Sequence, residues 1–187
     1  MSLGLLIIDM QKYFYREKSA EFDQKLIPNI KRALDTARAA EVPIIHVTTR
    51  HKQDKSNWPD VRKRYDKIWC LEGTDEVDIV DELEPLPTES VVVKQRYSAF
   101  FDTDLHEVLR SRGVRTLIVA GYAIDVCVRM TVMDAYNRDY GLYILSDCVE
   151  GWREDTSAAL EHVRVLSHAS ILTTDELGSV FEEEPRT

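Results

Sequence analysis

Ala120-Gly121-Tyr122-Ala123-Ile124-Asp125-Val126-Cys127-Val128 is the stretch that decides how this chain folds. An apolar run, Thr116 to Ala120, stops there at a glycine, and a helical pattern, Val126 to Tyr136, begins. A short apolar run bounded by glycine reads as a strand buried on both faces. The turn sets the thiol of Cys127 at a helix N-terminus. Unpaired N–H groups and the positive end of the helix dipole face it there, and both favour the nucleophilic thiolate. Backbone amides at such a turn also suit an oxyanion. A free cysteine is otherwise a small buried hydrophobe, so position alone leaves both readings open.

Strand–helix alternation continues in both directions from this turn. Leu5-Leu6-Ile7-Ile8 reads as the first strand, and Pro28 to Ala40 places Ile30, Ala33, Leu34 and Ala37 on one helical face. Strands are expected at Val42–Thr48, Ser90–Val93, Gly141–Leu145 and Ser170–Thr173. Helices are expected at Asp104–Arg112, capped by Asp102 or Thr103 and ended by Gly113, at Thr156–Leu166 and at Thr174–Phe181. Ile79 to Leu83 predicts one helical turn before Pro85 and Pro87, and the tail Glu182-Glu183-Glu184-Pro185 is expected to fray. Thr49 to Gly73 is long, aromatic and charged. Loops of that length are functional or disordered, and Trp58, Tyr65 and Trp69 argue against disorder. The pattern predicts a single α/β domain over residues 1–187. It is a three-layer, Rossmann-like α/β/α arrangement with a mostly parallel sheet of about six strands. No repeat or interdomain linker interrupts it.

The chain's 187 residues are enough for one sizeable core, and its net charge of −9 argues against nucleic acid as a general partner. No stretch is long and apolar enough to cross a membrane. The first apolar run is short, lacks a basic flank and ends in Asp9, so no secretory signal is expected. Three cysteines (Cys70, Cys127, Cys148) without paired spacing fit a reducing cytoplasm. The five histidines form neither H-x-x-x-H nor H-E-x-x-H, so no zinc site or other cofactor is expected. Charge is uneven: Arg50 to Lys67 is basic and Glu72 to Glu89 acidic. These are solvated segments, or the basic one lines the mouth of a site for an anionic substrate.

Open sheets of this kind bind ligands beyond the carboxyl ends of their strands. Asp9 ends the first strand, Lys94 the third, and Cys127 follows the fourth. Alone, Asp9 is equally a helix cap and Lys94 a snorkelling lysine. Together they make chemical sense: an acid takes the proton of a thiol, and an ammonium holds both in place.

Four ordered patches make the chain resemble the isochorismatase-like cysteine hydrolase superfamily. They are Leu6-Ile7-Ile8-Asp9-Met10-Gln11 with Phe14; Glu72-Gly73-Thr74 with Ile79-Val80-Asp81-Glu82-Leu83; Val93-Lys94-Gln95-Arg96-Tyr97-Ser98-Ala99-Phe100-Phe101; and Gly121 to Val128 with Asp134-Ala135. The resemblance implies a triad of Asp9, Lys94 and Cys127. It also implies a cis peptide between Tyr122 and Ala123 that helps aim the Ala123 and Cys127 amides at an oxyanion, and a homodimer or homotetramer. Ile124 stands where the superfamily often has threonine. Nicotinamidases of the superfamily add an Asp-x-His metal site after the second strand, where this chain has Arg50, His51 and Lys52. Isochorismatases proper share the run Arg96 to Phe100 but lack cysteine at the nucleophile position, since a vinyl ether is cleaved by acid catalysis. Amidases of N-carbamoyl or ureido compounds match better. The expected activity is thioester-mediated hydrolysis of such a small amide. A vinyl-ether hydrolase, or a non-catalytic small-ligand binder, is the alternative. Arg96 is expected to meet a substrate carboxylate or a structural ion-pair partner, and about half of Phe14, Trp58, Trp69, Tyr97, Phe100 and Tyr122 to wall the pocket, the rest being core.

Overall fold

The computed structural model describes residues 2–183. Six strands form one sheet in the order β3-β2-β1-β4-β5-β6, and every pairing is parallel. They are β1 (Leu3–Ile8), β2 (Ile44–Thr49), β3 (Ser90–Lys94), β4 (Thr116–Tyr122), β5 (Gly141–Glu150) and β6 (Ser170–Leu172). Every residue of β1, β2 and β4 is buried, which is why β1 and β4 read as apolar runs; β2 buries His46, Thr48 and Thr49 beside its apolar residues.

Side chains alternate between two cores. Leu6, Ile8, Ile45, Val47, Leu117 and Val119 point to one face. There they meet helices α5 (Leu105–Ser111), α6 (Cys127–Tyr136) and α7 (Thr156–Ser167). Leu5, Ile7, Ile44, Ile118 and Ala120 point to the other, under α3 (Ile27–Ala39) and α8 (Leu177–Glu183). The stripe Ile30, Ala33, Leu34 and Ala37 of α3 is fully buried, and cutting Leu34 to alanine costs about 2–5 kcal/mol.

Several short elements went unpredicted. They are α1 (Lys12–Glu17), α2 (Ser19–Glu21), the π turn Phe22–Leu26 leading into α3, and α4 (Asp60–Tyr65) within the long Thr49–Gly73 stretch. Helices α1, α2 and α4 bury no residue, so no apolar stripe marks them. Asp104, not Asp102 or Thr103, occupies the N-cap of α5, although the Thr103 hydroxyl still accepts from the Leu105 amide at 3.3 Å. Strand β4 runs two residues further than its apolar run, and β5 extends to Glu150. Glu182 and Glu183 belong to α8; Glu184 and Pro185 lie outside the described residues.

The chain switches from one side of β1 to the other between β3 and β4, so a crevice opens beyond the carboxyl ends of β1 and β4. Gly121 draws these two strands together. Its φ is +116°, and a Cβ there would lie 2.1 Å from the Ile8 carbonyl oxygen. Only glycine fits, and the close approach sets Asp9 against the turn that carries Cys127.

Candidate active site

Asp9, just past β1, is fully buried, and Lys94, the last residue of β3, is 1% exposed. Strand β2 lies between their strands and contributes Thr49. Lys94 Nζ stands 2.7 Å from Asp9 Oδ2. It donates hydrogen bonds to Thr49 Oγ1 at 2.7 Å and to Cys127 Sγ at 3.5 Å. The Thr49 hydroxyl donates in turn to Asp9 Oδ1 at 2.9 Å. Because the aligned bonds of the ammonium go to threonine and sulfur, Asp9 Oδ2 has the ion pair but no aligned hydrogen bond of its own. Asp9 also interacts with the thiol. Buried Gln11 locks the support: its Oε1 accepts from the Thr49 amide at 2.7 Å, and its Nε2 donates to the Thr49 and Val77 carbonyls at 2.9 Å.

Burial disfavours the charge of Lys94, but Asp9 and then Cys127 outweigh it, and its pKa is raised. Burial also pushes the Cys127 thiol well up, with Lys94 pulling against it. Burial thus works against the thiolate that the helix terminus favours, while Lys94 works for it.

Cys127 is the first residue of α6, following the cis peptide Tyr122–Ala123. The Ala123 carbonyl accepts from the Val126 and Val128 amides at 3.0 and 3.1 Å, and the Ile124 amide donates to the Glu150 carbonyl at 2.9 Å. The turn is therefore tied both to itself and to β5.

Cys127 lies at the meeting of two cavities. The larger, about 340 Å³, has Asp9, Ala123 and Cys127 at its base and Phe14, Trp69, Tyr97 and Tyr122 around it. Arg62, Lys67, Arg153 and Glu17 also line it. A smaller lobe of about 130 Å³ holds Arg96, Lys94, His51 and Trp69. Arg62 lies over the Trp69 ring, 4.4 Å from its centroid, and Arg153 over Trp152 at 4.3 Å.

Two of the expected pocket residues lie elsewhere. Trp58 is buried, and its indole Nε1 donates to the Lys52 carbonyl at 2.7 Å, bracing the 50–58 loop. Phe100 packs in the core against Tyr140, with ring centroids 5.8 Å apart, beneath the Arg138 guanidinium. Arg96 Nη1 donates to the Asn57 and Gln95 carbonyls at 3.1 and 2.9 Å, and, behind Lys63, its charge helps hold the Asp60 carboxyl below the usual range. His51 sits between the Trp69 and Gln95 carbonyls, at 2.8 and 3.4 Å, and burial lowers its pKa. The acidic 72–89 segment meets α1 of its own chain, through Lys12–Asp81 and Arg16–Asp75.

Thr49 was missed because β2 was ended one residue early. The rule that picked Asp9 and Lys94, side chains at carboxyl ends of strands, selects it as well. Arg62 lies on α4, in the basic segment expected to line the mouth of a site, whereas Trp152 and Arg153 come from a loop that carries no periodic signal.

The isochorismatase domain model matches residues 4–176. Ureidoacrylate amidohydrolase RutB of Agrobacterium fabrum is 36% identical over 168 residues, covering 77% of this chain and 74% of that protein. The structure of N-carbamoylsarcosine amidase from Thermoplasma acidophilum superposes with a TM-score of 0.84 at 26% identity, over 94% of this chain and 98% of that one. A cysteine hydrolase from Pseudomonas syringae pv. phaseolicola superposes at 0.86 with 27% identity, over 97% and 92%. With the family pattern running through all six strands, this chain belongs to the isochorismatase family of hydrolases.

Proposed function

We propose that the protein hydrolyses a C–N bond of a small ureido or N-carbamoyl acid through a thioester on Cys127. One observation carries the reading: Lys94, paired to Asp9 at 2.7 Å, also donates to the Cys127 sulfur at the base of a cleft. The acid, the cation and the nucleophile are thus in one contact.

Asp9 takes the thiol proton, and Lys94 stabilises the thiolate that forms. The sulfur attacks the carbonyl carbon, and the amides of Ala123 and Cys127 hold the oxyanion. A donor of this kind is worth about 10²–10³ in rate. Asp9 returns the proton to the nitrogen, the C–N bond breaks, and ammonia or an amine leaves. The acyl group, carbamoyl for a ureido substrate, stays on sulfur. Water then gives Asp9 a proton and attacks the thioester carbon. Collapse releases the acid, and the proton returns to sulfur.

In a chain of net charge −9, the two cavities carry Arg62, Lys67, Arg96 and Arg153 against Glu17 and the ion-paired Asp9. None of the four cations has a carboxylate partner among the described ion pairs. A field of that sign draws anions, and the free edge of Arg96 suits a carboxylate. Mass spectrometry of enzyme quenched in acid during turnover of ureido and N-carbamoyl acids should show an acyl adduct on Cys127. Near-normal activity of Cys127→Ala on the best substrate would overturn the thioester and favour acid cleavage of a vinyl ether.

A further inference from the structure

Asp125 takes no part in the chemistry above, yet its carboxylate is saturated. It is 8% exposed. Oδ1 accepts from the Trp152 amide at 2.8 Å, and Oδ2 accepts from the Arg153 and Glu154 amides at 2.9 and 3.2 Å. Burial works against its charge, but these amides outweigh it and hold its pKa below the usual carboxylate range. The loop it grips joins β5 to α7 and places Trp152 and Arg153 in the larger cavity. Gly151 lets that loop fold back, since a Cβ there would lie 2.4 Å from the Glu154 carbonyl oxygen. Arg129 of α6 holds the loop from outside through Glu154, at 2.7 Å. Asp125 itself sits between the oxyanion turn and Cys127. One buried carboxylate therefore joins the nucleophile turn to a cavity wall.

We propose that Asp125 is a positioning residue that fixes the Trp152–Arg153 wall against the nucleophile turn, so that the grip on substrate depends on it. The inference rests on the larger cavity being the substrate site. The turn has its own ties, the bonds of Ile124 to Glu150 and of Val126 and Val128 to Ala123. The wall has three amides committed to this one side chain. Losing Asp125 releases the wall and leaves the turn in place.

Asp125→Asn tests this, because one loop N–H must then face the new NH₂ group. With 3-ureidopropanoate as substrate, KM should rise about tenfold while kcat stays within about twofold. The rate of Cys127 alkylation by iodoacetamide should also hold within about twofold, whereas the 3-ureidopropanoate concentration that protects the thiol should rise with KM. Hydrogen exchange at the Trp152, Arg153 and Glu154 amides should quicken about tenfold or more, with α6 unchanged. Trp152→Ala added to Asp125→Asn should raise KM by less than about twofold further, since the wall is already displaced. Unchanged KM and exchange, additive effects, or kcat and alkylation falling in step with a lower melting temperature would overturn the inference. If Asp125→Asn does not fold, Asp125→Ser keeps one acceptor and should show the same pattern at smaller size. If the unmodified protein neither turns over nor binds the ureido acid, the proposed substrate class falls, and exchange and alkylation still decide the role of Asp125.

Discussion

Strand β2 supports two buried ionic clusters, one through His46 and the other through Thr49. In the first, Glu89 is enclosed by partners. Its Oε1 accepts from Arg38 Nε at 2.7 Å. Its Oε2 meets Arg38 Nη2 at 3.2 Å, His46 Nε2 at 2.9 Å and the Leu86 amide at 3.0 Å. In the second, Asp9 has Thr49 on one oxygen and a lysine on the other, and that lysine spends its aligned bonds on threonine and sulfur. The first cluster pins α3 and the loop before β3 to the sheet, and it borders neither cavity. The second has acceptor capacity left over and a thiol beside it in a cleft. Each cluster keeps one buried atom without an aligned hydrogen bond, His46 Nδ1 in the first and Asp9 Oδ2 in the second, so the thiol and the cleft separate them. The first, closed off from both cavities, is a strut, and the second, open to a cleft beside a nucleophile, is equipped to move a proton.

Breaking the open cluster should have the largest effect. Cys127→Ala should lower amide hydrolysis by at least about 10⁴-fold with little change in melting temperature. Asp9→Asn should lose nearly as much, and the double variant should be no worse than Cys127→Ala, because both disable one unit. Steady-state kinetics with thermal melts decides it. Additive losses would mean that the two side chains do not act together.

Thr49→Val sharpens the comparison from within. It removes the hydroxyl between Lys94 and Asp9 and keeps the shape. Turnover should fall about 10–100-fold, mostly in kcat, with KM nearly constant. A KM effect alone would place Thr49 in binding.

Glu89→Gln should do the opposite. Stability should fall by roughly 1–3 kcal/mol in urea unfolding while kcat and KM stay unchanged. Lost activity in a folded Glu89→Gln protein would erase the contrast between the clusters.

The smallest effect concerns pH. Burial is the main cause holding the His46 and His51 pKa values below the ordinary 6.5. As pH falls through 6.5 the unfolded chain takes up these protons first, so stability is full above 6.5 and declines below it, down to the folded pKa values. Melting temperatures at pH 7.5 and 5.5, compared with those of His46→Gln, should show a smaller decline in the variant. An equal decline would assign the pH dependence to other groups.

The strands were legible because each central one is buried on both faces, so β1 and β4 are nearly unbroken apolar words in the sequence and β2 is rich in β-branched residues. Helices with an apolar stripe were legible for the same reason, and α1, α2 and α4, which bury no residue, were not. Asp9 and Lys94 stood out because charged groups at the ends of buried strands need a reason to be there, and Cys127 because a helix starts at it just past β4. Trp58 and Phe100 were sorted wrongly because an aromatic side chain in a loop looks the same whether it faces a cavity or the core.

By itself, the sequence determined the parallel sheet, the crevice at its carboxyl end and the three groups that meet there. Hydrophobic periodicity and the ends of strands are local properties, and residue order carries them. Only the tertiary structure decided the burial of Cys127 beside Lys94, the part played by Thr49 and the segments that wall the cleft. Those depend on desolvation and on hydrogen bonds between segments far apart in the chain, such as Gln11 with Thr49 and Asp125 with Trp152.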